Sequence, residues 1–306
     1  MSAGTAVTDG PMVDLAGRRC VVTGATHGIG RATAQALAAL GAAVVVHGRD
    51  AAAVEAVRRE IAASTGNGAI AGVVADFASL SDVRRMAGEL AAEHVDVLVN
   101  NAGTMLRSRE TTADGFERQF GVNHLAPFLL TNLLLHALPG GARIVNVASE
   151  AHRRARIDFE DLQLERSKYN GLRAYGASKL ANVLFTAELA RRLAGTGVTA
   201  NSLHPGMVYT NIFNGLGAGA KIFSVVGRLL LLSPERGAAT SVYLAASPEV
   251  SGVSGKYFER CRQRPPAAAA DDAAAAARLW EVSERLVSLQ AGQGASGLVR
   301  YGQHHS

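Results

Sequence analysis

Apolar runs of strand length alternate with Ala/Leu-rich helical segments along this chain, and a glycine-rich turn follows the first of them. Together they predict an α/β fold, a doubly wound parallel sheet of about seven strands built as a single domain. The strand segments are apolar throughout instead of alternating with polar residues, as expected of a sheet covered by helices on both faces. At 306 residues, 48% hydrophobic and 19% charged, the chain can bury a core of that size.

In chain order, the strand RRCVVTG precedes the helical RATAQALAAL; AAVVVHG precedes AAVEAVRREIAA; GAIAGVVAD precedes SDVRRMAGELAAE. The alternation continues through VDVLVNNAG, the helical NHLAPFLLTNLLLHAL, the strand RIVNVAS, a helix containing AYGASKLANVLFTAEL, the strand VTANSLHPG and the short strand GKYF. An Ala-rich linker then leads to a last amphipathic helix, expected to pack on the domain with Leu279, Val282, Leu286 and Leu289 on one side. The expected domain covers residues 15–290, between disordered tails at 1–14 and 291–306.

Composition excludes several classes. The net charge of +5 is mild and no basic run is interleaved with aromatics, which argues against nucleic-acid binding and suits a small anionic ligand equally well. Cys20 and Cys261 are the only cysteines, far apart and without zinc-type spacing, so neither a disulfide nor a metal is expected. Cys20, inside an apolar strand, reads as packing, and the compartment expected is the cytoplasm. The N-terminus lacks the pattern of a signal peptide or anchor, and the most membrane-like stretch, SVVGRLLLLS, is too short to span a bilayer and is interrupted by Arg228.

Ligands of doubly wound sheets sit beyond the carboxyl ends of the strands, so the loops there carry the chemistry. In TGATHGIG, residues 23–30, Gly24, Gly28 and Gly30 allow a tight turn and close approach of backbone to a diphosphate at the helix N-terminus. The spacing is GxxxGxG, and no Lys-Ser pair follows as in a P-loop. Tyr175 and Lys179 stand four residues apart, which on a helix stacks the phenol and the ammonium on one face. An isolated pair of this kind is ordinarily a surface Tyr and Lys.

The set formed by TGATHGIG, NNAG at residues 100–103, Asn123 in GVNHLAPF, Ser149 closing RIVNVAS, and YGASK at 175–179 resembles the short-chain dehydrogenase/reductase family, in that family's order. Within it, DGFERQFGVNHLAPFLLTNLLL, KLANVLFTAELARRL, GVTANSLHPGMV and SGKYFERC are most similar to the retinol dehydrogenase and WW-domain oxidoreductase branch, without a membrane anchor or a WW domain. The resemblance covers residues 15–290 and implies a Rossmann domain that binds NAD(P). It implies Tyr175 as proton donor, Lys179 as the cation that lowers the phenol pKa and holds the nicotinamide ribose, Ser149 as hydrogen-bond donor to the substrate oxygen, and Asn123 as holder of a relay water. It implies cofactor contacts from Gly24, Thr26, His27, Gly28, Ile29 and Gly30, from Asp76 and Phe77, from Asn101, Ala102 and Gly103, and from Pro205, Gly206, Val208 and Thr210. Asp76 reads equally as a helix cap, and His27 and His204 lack the second ligand a metal site needs.

Two variable regions remain. The segment between Ser149 and Tyr175 is long, as in the resembling branch; its Arg153, Arg154 and Arg156 are balanced by Asp158, Glu160, Asp161 and Glu165 and read as a solvated loop more readily than as a clamp on an acidic substrate. Residues 207–233 read as an apolar lid over a lipophilic substrate or as a core or homodimer-contact helix. At the end of the second strand, where NAD-preferring relatives carry an acid, Gly48 is followed by Arg49, whose guanidinium suits a 2′-phosphate; the cofactor expected is NADP(H), and Asp50 is expected to cap the next helix. The expected activity is NADPH-linked interconversion of a lipophilic ketone or aldehyde and its alcohol. A dinucleotide sensor without turnover, and an isomerase or dehydratase, are the alternatives.

Overall fold

The computed structural model describes residues 13–206 and 232–289. Seven parallel strands, β1 (Arg19–Val22), β2 (Ala43–Gly48), β3 (Ile70–Val74), β4 (Val97–Asn100), β5 (Arg143–Val147), β6 (Thr199–His204) and β7 (Tyr257–Glu259), lie in the order β3-β2-β1-β4-β5-β6-β7. The order reverses between β1 and β4, which opens a crevice at their carboxyl ends. An eighth strand, β8 (Arg262–Arg264), pairs antiparallel with β7 and was not among the expected strands. Its two-residue turn places Arg260 and Cys261 at φ of 50° and 58°. Such turns ordinarily signal themselves by Asn or Gly, and this one carries neither.

Side chains of the central strands divide by parity between two apolar layers. Val21, Val45, Leu98 and Ile144 face α3 (Leu80–Leu90), the single turn α4 (Arg118–Phe120), α5 (Ala126–Leu134) and α6 (Gly171–Arg192). Cys20, Val22, Val44, Val46, Val97 and Val145 face α1 (Gly28–Ala39), α2 (Ala51–Thr65) and α7 (Pro234–Ala246). Cys20 is fully buried among these, and burial pushes its thiol up to about 12, so it packs as an apolar residue.

The last helix, α8 (Ala273–Leu286), docks on the domain as expected: Leu279 is buried in the core and Leu286 and Leu289 pack against it, joined by Ala276, Trp280 and Ser283, while Val282 stands apart from that cluster. Trp280 is the largest of its buried side chains. Its ring meets Phe128 edge-on at 4.9 Å and stacks on Phe185 at 5.7 Å, with the Arg192 guanidinium 4.4 Å from its centroid.

Helix starts distinguish α1 from the helices after β2, β3 and β5. Asp50, Ser79, Asn170, Ser233 and Asp272 cap α2, α3, α6, α7 and α8 by accepting a first-turn N–H. Helix α1 has no side-chain cap and no acid in its first turn, so the positive end of its dipole faces the crevice uncompensated.

Candidate active site

One cavity of about 880 Å³ runs along the carboxyl ends of β1 to β6. Lining it are Gly24, Thr26, His27, Gly28, Ile29 and Gly30 from the turn after β1, and Arg49, Asp76 and Phe77 after β2 and β3. Asn101, Ala102 and Gly103 follow β4, Ser149 follows β5, Pro205 and Gly206 follow β6, and Tyr175 and Lys179 project from α6. Val208 and Thr210, and the expected lid up to residue 231, lie outside the described residues.

The glycine turn is built so that only backbone fits. Gly24 has φ of 63°, and a Cβ there would stand 2.8 Å from the Ala102 Cα; a Cβ on Gly30 would overlap the Gly24 carbonyl and the Asn101 amide. Asn101 Nδ2 donates to the carbonyls of Thr23 (2.8 Å) and Gly24 (3.1 Å), and Thr23 Oγ1 accepts the N–H groups of Asn101 and Ala102. The NNAG turn therefore locks the glycine turn against β4.

At the other end, Ser149 Oγ hydrogen-bonds the Tyr175 phenol and also accepts the Ala151 N–H at 3.3 Å, so the serine serves both its strand end and its neighbour. Lys179 lies one turn from Tyr175, is 2% exposed, and places its Nζ 5.7 Å from the phenol ring centroid. Burial holds the ammonium down at about 8. The expectation of a lowered phenol pKa does not hold for the protein by itself. Burial pushes Tyr175 up, only the Ser149 hydrogen bond opposes it, and the lysine points to the Val147 carbonyl.

Asn123 does not line the cavity but stands immediately behind its wall, 1% exposed, in a π-helical turn spanning Gly121–Leu125 that leads into α5. Its Oδ1 accepts the Thr104 N–H at 2.7 Å; its Nδ2 donates to the Thr104 carbonyl and to Ser178 Oγ, both at 2.9 Å. Ser178 in turn donates to the Tyr175 carbonyl at 2.8 Å, which ties the asparagine to the turn of α6 that carries Tyr175. A Cβ on Gly103 would stand 3.2 Å from Asn123 Oδ1 and 3.4 Å from Lys179 Nζ, so the missing side chain keeps the gap between those two groups open.

Several details correct the sequence reading. Asp76 is not a helix cap: Ser79 caps α3, while Asp76 Oδ1 accepts the Ala78 N–H at 2.9 Å. The acid position assigned to Gly48 cannot hold a side chain as it stands, because a Cβ there would overlap the Thr26 γ-methyl. The segment after Ser149 is more than a solvated loop. Buried Glu117 accepts the N–H groups of Gln119 and Phe120 and the Tyr169 hydroxyl at 2.9 Å, and Gln163 Oε1 accepts the Glu117 N–H at 2.7 Å. Arg153 pairs with Glu150 at 2.7 Å, and Arg154 and Arg156 are exposed. His204 accepts the Glu150 N–H through Nδ1, and no group of metal-ligating side chains assembles among the described residues. His47, passed over in the sequence, also lines the cavity.

A model of the family described as short chain dehydrogenase matches residues 18–221. The chain belongs to that family. Retinol dehydrogenase 13 of Homo sapiens is 46% identical over 286 residues, covering 90% of this chain and 86% of its own; Retinol dehydrogenase 14 of Mus musculus is 45% identical, covering 89% and 86%. A crystal structure of an uncharacterised protein from Mycobacterium paratuberculosis superposes with a TM-score of 0.77 at 36% identity over 94% of this chain and 98% of its own. An NAD(P)-dependent gluconate 5-dehydrogenase structure from Beutenbergia cavernae, which contains bound NADP, gives 0.66 at 36% identity over 81% and 96%. This short-chain dehydrogenase is thus an oxidoreductase of the retinol-dehydrogenase-like branch.

The site fits the dinucleotide that such enzymes use. The side-chain-free turn at Gly24 and Gly30 and the uncapped start of α1 suit a diphosphate, and the cavity continues from there to Ser149, Tyr175 and Lys179. No helix among the described residues is long and apolar enough to cross a membrane.

Proposed function

We propose that this chain is an NADPH-dependent reductase/dehydrogenase that interconverts a lipophilic ketone or aldehyde and its alcohol, with Tyr175 as general acid and base. The observation that carries the reading is the meeting of Ser149, Tyr175 and Lys179 at one end of a cavity whose other end is a side-chain-free glycine turn. A site that merely sensed a dinucleotide would have no use for the buried phenol and ammonium beside it.

The bound nicotinamide would supply the hydride; the protein supplies position and the proton. The hydrogen bond between Ser149 Oγ and Tyr175 Oη would give way on substrate binding to two donors aimed at one carbonyl oxygen. As that oxygen gains charge, the phenol proton passes to it. The nearby Lys179 ammonium stabilises the phenolate left behind, and the Val147 carbonyl takes only one of its three N–H groups, which leaves donors for ribose hydroxyls. In the oxidative direction the same groups act in reverse, with Tyr175 accepting the alcohol proton.

Two features support the finer assignments. Arg49, exposed at the cavity rim after β2, has no carboxylate partner among the described residues and suits a 2′-phosphate. On the substrate side, Met105, Leu106, Val122 and Leu172 line the wall, and Leu172 is 66% exposed, unusual for a large apolar side chain unless something covers it. The test is turnover of NADPH with a homologous series of aldehydes and ketones, followed by loss of reduced-nicotinamide absorbance. Each buried methylene is worth roughly 0.8 kcal/mol, so kcat/KM should climb with chain length. Preference for small polar keto acids would overturn the lipophilic assignment, and no turnover with any carbonyl would overturn the enzyme.

A further inference from the structure

Two successive amides of the glycine turn, those of Gly24 and Ala25, both end on one residue of the neighbouring strand. Gly24 N–H donates to His47 Nδ1 at 3.1 Å, and Ala25 N–H donates to the His47 carbonyl at 2.8 Å. The other ring nitrogen, Nε2, lies 3.0 Å from the carbonyl oxygen of Ala75, after β3. The imidazole face stacks on Phe77 at 4.5 Å between centroids, 25° from parallel. One side chain on β2 thus joins the cofactor-side loops after β1 and β3.

The hydrogen bonds fix its chemistry. A backbone N–H can only donate and a carbonyl can only accept, so Nδ1 must be bare and Nε2 must carry the proton. His47 is 3% exposed, and burial holds its pKa down at about 4, which keeps the ring in that neutral form at physiological pH. The glycine turn is consequently clamped from two sides. Asn101 holds its carbonyls, at Thr23 and Gly24, and His47 holds its N–H groups, at Gly24 and Ala25. Gly24 needs both clamps because it sits at φ of 63°, a conformation that glycine loses entropy to hold.

We propose that His47 is a positioning residue for the dinucleotide: its bare Nδ1 fixes the amide of Gly24 and so presets the turn that receives the diphosphate, while its ring backs the Phe77 side of the nucleotide end. It touches no reacting atom and acts through Gly24 and Phe77. The inference rests on the cavity's being a dinucleotide site. It differs from the general effect of a core residue in one respect: only the acceptor at the Nδ1 position matters to the turn.

That difference is the test. Asn places its Oδ1 where the imidazole has Nδ1, whereas Gln places its amide nitrogen where the imidazole has Nε2. Binding of NADPH to the full-length protein is measured by calorimetry for wild type, His47→Asn and His47→Gln, with thermal melts to confirm that each is folded. Loss of a single buried acceptor is expected to weaken binding by about tenfold in the Gln variant, while the Asn variant stays within about threefold of wild type. The rise should appear in KM for the cofactor far more than in kcat at saturating cofactor. Equal weakening in both variants, or weakening of Asn more than Gln, would overturn the acceptor role and leave His47 as ordinary packing. If wild type bound neither NADPH nor NADH, the dinucleotide reading would fail and this inference with it.

Discussion

Lys179 Nζ, buried at the end of the cavity, donates to the carbonyl oxygen of Val147 at 2.9 Å, and burial alone accounts for its low pKa. The ammonium is held ready at a cost to the fold, with a carbonyl dipole in place of a counter-ion. Active-site groups commonly impose such a cost, since the group useful to catalysis is seldom the one that packs best.

That cost has a definite pH dependence. In the native chain Lys179 loses its proton near pH 8, and in the unfolded chain near the ordinary value of 10.5. Between those values the unfolded state binds more protons, so stability attributable to this residue rises with pH; below pH 8 the full penalty is present. Lys179→Met is expected to be more stable than wild type at pH 7 by an amount on the order of 1–3 kcal/mol, with the advantage shrinking toward pH 10. Urea melts at several pH values check the sign. A less stable variant at pH 7 would contradict it.

Tyr175→Phe is expected to keep cofactor affinity and lose at least about a hundredfold in kcat, the usual scale for a positioned general acid. Because burial by the protein itself raises the phenol pKa, the group is expected to acidify when the cofactor binds and Lys179 turns toward it. The apparent basic-limb pKa of kcat should therefore fall below that of the free phenol, measured by spectrophotometric titration of the cofactor-free protein.

Arg49→Leu should raise KM for NADPH by tenfold or more while leaving NADH little changed, since a lost phosphate pairing is worth about 1.4 kcal/mol or above. Installing an acid at Gly48 is a poorer test. Its Cβ would overlap the Thr26 γ-methyl, so Gly48→Asp is expected to weaken both cofactors by displacing the glycine turn. Equal use of NADH and NADPH by the unmodified enzyme would remove Arg49 from the site.

Trp280→Ala should lower stability by about 3–5 kcal/mol, the scale of an aromatic deleted from a packed core. The indole is 1% exposed between Phe128, Phe185 and the Arg192 guanidinium, so its removal frees α8 from α5 and from α6, which carries Lys179. Denaturant unfolding gives the magnitude, and a change under about 1 kcal/mol would show that α8 is only loosely docked.

The parallel sheet, its helices and most of the cavity lining were legible in the sequence because they depend on local signals. Apolar runs of strand length mark strands buried on both faces, glycines mark a turn that backbone must approach closely, and a four-residue step puts Tyr175 and Lys179 on one helix face. Tertiary structure alone decided the rest. The turn from β7 to β8 uses Arg260 and Cys261 in left-handed conformations for which neither residue has a preference, so no local pattern could announce it. The leucines of α8 mark the side that meets the core, but the seat of Trp280 was set by where Phe128 and Phe185 stand. Whether Tyr175 is acidified depended on the direction of one lysine N–H and on how much protein surrounds the phenol. The role of His47 depended on two partners at Gly24 and Ala75, each more than 20 positions away along the chain. Hydrogen-bond direction, desolvation and steric room are properties of atoms brought together from distant positions, and a linear pattern carries no information about them until the chain has folded.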